Sequence, residues 1–188
     1  MEFSELLIKR RSIRNFQDRE VPLSLIHEII RESCFAPNAA NRQPWRFIII
    51  KTKKLIEKLD RESKSNLLKD LENNPASLLK NYETILRNER YNVFYNAPCL
   101  IYITGPKDVR SLEVDCALAA SYLMLAATSR GLGTCWVALG SRIKNPDILK
   151  EIGLPADHRI IAPIILGYPE EIPETPKRNE PQILKIMQ

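Results

Sequence analysis

Histidine is nearly missing from this chain. Only His27 and His158 occur among the 188 residues, far apart in sequence. No Ser–His or Cys–His arrangement for nucleophilic catalysis and no histidine-based metal site can be drawn from them. Cysteine is scarce too. Cys34, Cys99, Cys116 and Cys135 each sit in an apolar context, and none belongs to a Cys-x-x-Cys pair. That spacing excludes zinc and iron–sulfur ligation, so no metal is expected. It also makes a disulfide framework unexpected and a reducing cytoplasm the natural setting. No run of cations exists: 28 Lys and Arg are scattered among 23 Asp and Glu, for a net charge of +5. A nucleic-acid partner is therefore not expected. No apolar run reaches the ~18 residues of a membrane span, and the acidic start Met1-Glu2-Phe3-Ser4-Glu5 has no signal-peptide core after it. The pair of glycines in Gly131-Leu132-Gly133 follows a helix and precedes a strand. A dinucleotide fingerprint needs the reverse order, so these glycines read as a helix stop. Repeats and low-complexity segments are absent.

What is present is an ordinary apolar fraction, 44%, with 27% charge, enough for one globular domain spanning 1–188. Glu2 to Arg10 reads as a short helix. Leu25, Ile26, Ile29, Ile30 and Cys34 recur at helical spacing after Pro22, and Ala36-Pro37 ends that run. Trp45 to Lys51 reads as a strand buried on both faces, and Cys99 to Thr104 as a second buried strand. Residues 53–92 are rich in Lys, Glu, Asn and Ser and read as two exposed helices split at Asn73-Asn74-Pro75, an excursion expected to form a lid. Ser111 to Arg130 reads as the longest helix. From Ala117 to Thr128 it is apolar on almost every side, so a partner subunit is expected to cover it, with Leu123 and Ala127 as places where Glu should split the pair. Thr134–Leu139 and Ile160–Leu166 read as two further strands, and Asn145-Pro146 as a capped helix start. The tail 169–188 is Pro-rich and charged, hence extended. These elements lack strict β–α–β alternation. They predict an α+β sandwich, with helices on both faces of a small mixed sheet.

Two stretches carry the chemistry. Arg10-Arg11-Ser12-Ile13-Arg14 packs three cations and a hydroxyl into five residues. The planar fork of Arg matches phosphate oxygens, although a solvated basic turn has the same composition. Asn38, Asn41 and Gln43 lie in the loop Ala36–Trp45, between a helix and a strand. Their amides both donate and accept, which suits the edge of a flat heterocycle, although Asn also serves turns internally.

In combination these stretches resemble the N-terminal signature of the FMN-dependent nitroreductase family. Asn96-Ala97-Pro98, the segment from Asp115 through Trp136, Ile165-Leu166-Gly167-Tyr168-Pro169 and the basic pair Lys177-Arg178 resemble later family markers in the same order. The resemblance covers nearly the whole chain and is weakest over 53–92. It implies a three-layer sandwich whose sheet is mixed but mostly antiparallel, assembled as an intertwined homodimer with FMN at the interface. It further implies that Arg10 and Ser12 meet the phosphate and ribityl side, that Arg11 also belongs to the cofactor-binding set, and that Lys177 and Arg178 complete the phosphate cage. Arg14 and Asn41 would meet the pyrimidine edge, with Gln43 nearby, and the backbone of Leu139-Gly140 would face N5. Pro37, Asn38 and Ala39 would arrive from the other subunit. Reduction leaves negative charge over flavin N1 and O2, and a fixed cation there stabilises it. Arg14 is the residue the resemblance assigns to that catalytic role. NADH or NADPH would donate hydride and a small electron-poor acceptor would take it, in ping-pong order. Reductive dehalogenation, flavin fragmentation or non-catalytic flavin binding are the alternatives. The family often has Ser where Asn38 stands and Lys where Arg14 stands. Tyr91, Phe94 and Tyr95 are candidates to stack on substrate, or else ordinary core aromatics.

Overall fold

A computed structural model describes residues 2–188. Four strands form one antiparallel sheet in the order β1-β2-β4-β3, with β1 Arg46–Ile50, β2 Cys99–Pro106, β3 Gly133–Trp136 and β4 His158–Gly167. The parallel component is a single bridge, Ser12 to Thr134, by which the N-terminal segment runs along the outer side of β3.

Side-chain alternation sorts the two central strands into two cores. Cys99, Ile101 and Ile103 of β2, with Ala162, Ile164 and Leu166 of β4, pack against α2 (Leu23–Ser33) and α5 (Leu112–Ser129). Leu100, Tyr102 and Ile165 point the other way, toward α3 (Lys53–Asn73) and α6 (Pro146–Glu151). The result is helix, sheet, helix, as expected of an α+β three-layer sandwich. The short α1 (Phe3–Lys9) lies against α5.

Pro163 sits inside the central strand β4 without breaking it. Its carbonyl accepts from Val137 N at 2.8 Å. In a strand, N–H and C=O of one residue point to the same side, so the missing N–H falls beyond Trp136, where the β3 ladder has ended. Asn145 caps α6 as its sequence suggests. Its side chain accepts from Asp147 N, with Pro146 in the first turn.

Four expectations need correction. β1 is an edge strand, exposed or half-buried over most of its length, and not buried on both faces. Continuous Phe-Ile-Ile-Ile apolarity does not distinguish an edge from a centre. β3 stops at Trp136, and residues 138–141 form a 3₁₀ turn. Residues 53–73 form one 21-residue helix, longer than the 18 residues of α5, and only the single turn α4 (Glu83–Leu86) follows it. α3 is also not simply exposed: it buries Ile56, Leu59, Leu67 and Leu71 together with the polar Asp60, Ser63 and Asn66. Finally, Leu123 and Ala127 of α5 are fully buried within this chain's own core. The face of α5 left uncovered is another one. Val114 and Tyr122 are exposed on it, with Leu118 and Leu125 half-buried between them. By length and composition α5 could cross a membrane, yet its other face is the centre of the first core.

Gly140 closes the 3₁₀ turn over Phe94. A Cβ there would lie 2.3 Å from the Phe94 ring, and Phe94 is fully buried. Gly140→Ala should therefore cost about 1–3 kcal/mol of stability through overpacking, read as a lower midpoint in urea unfolding with an unchanged slope.

Candidate functional site

Residues 10–14 are extended beside β3, with Ile13 N donating to Thr134 O at 2.9 Å. An extended backbone alternates its side chains. Arg10, Ser12 and Arg14 therefore share one face, and Arg11 and Ile13 the other. Two observations agree with this division. Burial pushes the Cys135 thiol up, and Arg14, Ser12 and Arg10 partly offset that. Arg14 also stands over the Tyr95 ring, 5.7 Å from its centroid. Arg11 instead lines a pocket with Ile13, Thr128, Gly131 and Pro169.

The two chain ends meet here. Gln17 N donates to Tyr168 O at 2.9 Å, Glu170 N to Asn15 O at 3.1 Å, and Thr175 Oγ1 to Ile8 O at 3.4 Å. This leads the exposed tail, with Lys177 and Arg178, toward the N-terminal arginines. Arg11 is buried; among the described residues its Nε has no hydrogen-bond partner, and the only bond of its side chain is a long one from Nη2 to Leu7 O, 3.5 Å. Desolvation first, then Arg10 and Arg178, pull its pKa below the usual guanidinium range. Among the described residues, none of Arg10, Arg11, Arg14, Lys177 and Arg178 forms an ion pair with an acid. A cluster of like charges without its own carboxylate favours an external anion.

The turn 138–141 is fixed from three sides. Tyr102 Oη donates to Gly140 O at 3.0 Å, Ser63 Oγ to Leu139 O, and Gly140 N to Val137 O at 2.9 Å. Both polar groups of Gly140 and the Leu139 carbonyl are thereby occupied. The amides of Ala138 and Leu139 have no acceptor among the described residues, so they are the donors this turn can offer a ligand. Phe94, fully buried under Gly140, is a core residue. Tyr91 and Tyr95 are half-buried and pack edge to face at 5.8 Å. Burial and the neighbouring Tyr95 hydroxyl raise the Tyr91 phenol, keeping it neutral.

The amide loop lies elsewhere. It leads into β1, at the sheet edge opposite β3. Pro37, Ala39, Asn41 and Gln43 are exposed. Asn38 is turned inward: its Oδ1 accepts from Gln43 N at 2.8 Å and its Nδ2 donates to Ala36 O at 3.3 Å. Gln43 Nε2 donates to Asn41 Oδ1 at 3.1 Å. That pairing leaves Asn41 Nδ2 and Gln43 Oε1 as one free donor and one free acceptor among the described residues. Three non-glycine residues here have positive φ: Ala40 at 52°, Asn41 at 50° and Gln43 at 48°. Each such residue is held against its own preference, at roughly 1–2 kcal/mol. Neither histidine bonds to these groups among the described residues: His27 is exposed on α2, and His158 pairs with Asp157 at the start of β4. No cluster of three potential metal ligands exists among the described residues.

An antiparallel sheet between helical layers, with an acid-free cation cluster on one edge and an amide loop on the other, defines a cofactor-binding α+β sandwich. The profile of the nitroreductase family matches residues 7–168, and the chain belongs to that family. A relative from Methanothermobacter thermautotrophicus, provisionally named NADH dehydrogenase/NAD(P)H nitroreductase, is 28% identical over 99% of this chain and 87% of its own length. Human iodotyrosine deiodinase 1 is 29% identical over 99% of this chain and 68% of its own. A crystal structure of a nitroreductase with bound FMN from Bacteroides fragilis superposes with a TM-score of 0.85 at 25% identity, over 100% of both chains.

Proposed function

We propose that this chain is an FMN-dependent oxidoreductase, working as a homodimer. It would pass hydride from NADH or NADPH to nitroaromatics, quinones or similar electron-poor small molecules. The observation that carries this reading is the cation cluster. Arg10 and Arg178 are close enough to Arg11 to depress it, and none of the three has a carboxylate partner among the described residues. A dianionic phosphate would neutralise that repulsion and accept from several guanidinium donors at once.

Bound FMN would supply two-electron chemistry at its N5. The chain's own residues do the rest. Arg10 and Ser12 share a face with Arg14, so one extended segment can hold the phosphate side and present a cation to the pyrimidine edge. Arg14 opposes negative charge there, an electrostatic role that needs no proton transfer. The free amides of Ala138 and Leu139 are donors for the ring's central region.

The amide loop leads into β1, and Arg14 lies on the segment beyond β3, four spacings away, roughly 19 Å at about 4.8 Å per strand. Pro37–Ala39 and Asn41–Gln43 belong to one stapled loop, so both sets would come from the same chain. This supports a site completed by a second copy, in which the whole loop reaches the partner's flavin. A lid from the segment after α3, carrying Tyr91 and Tyr95, would cover the ring.

The freshly purified protein should be yellow, and NADH or NADPH should bleach it. Arg14→Ala should slow that bleaching by roughly 10²-fold, the usual loss for one preorganised donor. Asn41→Ala should weaken flavin retention. A colourless protein that takes up no added FMN would overturn the reading. Human iodotyrosine deiodinase 1 is as close in sequence as the nitroreductase relative, which favours reductive dehalogenation as a second reading. Loss of iodide from 3-iodotyrosine with dithionite-reduced protein, but no turnover of nitrofurazone or menadione, would select it.

A further inference from the structure

We infer that Asp115 is a positioning residue for the flavin. It lies in the core, yet it sets the loop that the partner's cofactor would meet. The inference rests on the FMN reading above.

Asp115 is 2% exposed and, among the described residues, has no cation partner within salt-bridge range. It stands in the first turn of α5, where the helix dipole favours a negative charge. Both carboxylate oxygens are used. Oδ2 accepts from Ser111 Oγ at 2.7 Å, and Oδ1 accepts from Ala39 N at 3.0 Å, across 76 positions of sequence. The second bond leaves the core and takes hold of the exposed loop at its first 3₁₀ residue.

The loop needs that hold. Ala40, Asn41 and Gln43 are in the left-handed region, and no glycine relieves them. Two other fastenings, Asn38 to Gln43 N and Arg46 Nη1 to Gln43 O at 3.1 Å, tie the loop only to itself and to the start of β1. The Asp115–Ala39 bond ties it to a helix of the core. α5 is also the helix with an uncovered apolar face, so this one carboxylate connects the proposed subunit contact to the cofactor loop. Through it the loop geometry depends on where α5 stands. Asp115 touches no ligand itself.

The test uses the full chain with three variants. Asp115→Leu removes both acceptors, and Asp115→Asn keeps an amide oxygen for Ala39. Ala39→Pro removes the donor alone. Asn38 before it is already extended (φ −154°, ψ 161°), the conformation proline tolerates in its predecessor. Hydrogen exchange of residues 38–43 in flavin-free protein reads the staple itself. The FMN dissociation constant and the midpoint potential of bound flavin read its consequence. Asp115→Leu and Ala39→Pro should each speed exchange in the loop and weaken FMN binding by about tenfold, the scale of one buried bond left unmade. Asp115→Asn should recover most of the affinity, and the Leu and Pro effects should not add. Unchanged loop exchange in Ala39→Pro would overturn the staple. Faster exchange with unchanged FMN affinity and potential would overturn the positioning role. Wild-type protein that binds no FMN would instead overturn the FMN reading, and loop exchange would still report on the staple. If Asp115→Leu does not fold, Ala39→Pro alone decides.

Discussion

An Arg10→Ala/Arg178→Ala variant is expected to purify without flavin and to bind added FMN roughly 10²–10⁴-fold more weakly than the parent. Each hydrogen bond from a charged donor contributes about 1.5–3 kcal/mol, and two are removed. The protein itself should not suffer. Arg11 is disfavoured by its burial and by these two neighbours, so deleting them relieves repulsion in the flavin-free state. The melting temperature without FMN should therefore stay level or rise, while the increment that FMN adds should vanish. A variant that binds FMN normally would remove the phosphate assignment. One that merely unfolds would contradict the repulsion argument.

The second large effect concerns assembly. Val114→Glu combined with Tyr122→Glu should give a monomer that retains no flavin. Val114 is 64% exposed and Tyr122 40%, on the one face of α5 that this chain leaves uncovered. Two carboxylates buried without partners in a subunit contact would cost several kcal/mol each, more than enough to shift a dimer of micromolar affinity at working concentrations. Sedimentation velocity with simultaneous absorbance at the protein and flavin bands reads both consequences at once. Glu at Leu123 or Ala127 would not test this, since both side chains face the chain's own core and the variant would misfold. A folded monomer of the Val114/Tyr122 variant that keeps its flavin would refute the shared site.

The sequence made the layers legible because periodicity reports burial. α2, α6 and the strands near 46–50, 99–106 and 158–167 follow from apolar spacing, Asn145-Pro146 and Gly131. The reading failed where polar residues are buried. On α3, Asp60, Ser63 and Asn66 look like surface positions. Instead they hold Val93 N at 2.7 Å, Leu139 O, and Arg142 O at 2.8 Å respectively. A side chain that enters the core to satisfy a distant backbone group leaves no periodic trace. Burial also raises the Asp60 carboxyl above its usual range, more than the Val93 bond and nearby cations lower it. At the site, the cluster of arginines was plain, but which of them act together was not. Composition gives three cations, and only the extended backbone beside Thr134 separates Arg11 from Arg10 and Arg14. Asp115 was invisible as a contributor, because its partner is a backbone amide 76 positions away.

The pairing of Ser12 with Thr134 has a consequence for how this chain can change. A strand's two sides swap with every step of one residue. Deleting a single amino acid between Arg10 and Ile13 would therefore rotate a guanidinium out of the cradle and an aliphatic group into it, with composition scarcely altered. A point replacement at this stretch removes one group, whereas an indel of one inverts them all, so the length of this segment matters as much as its identity.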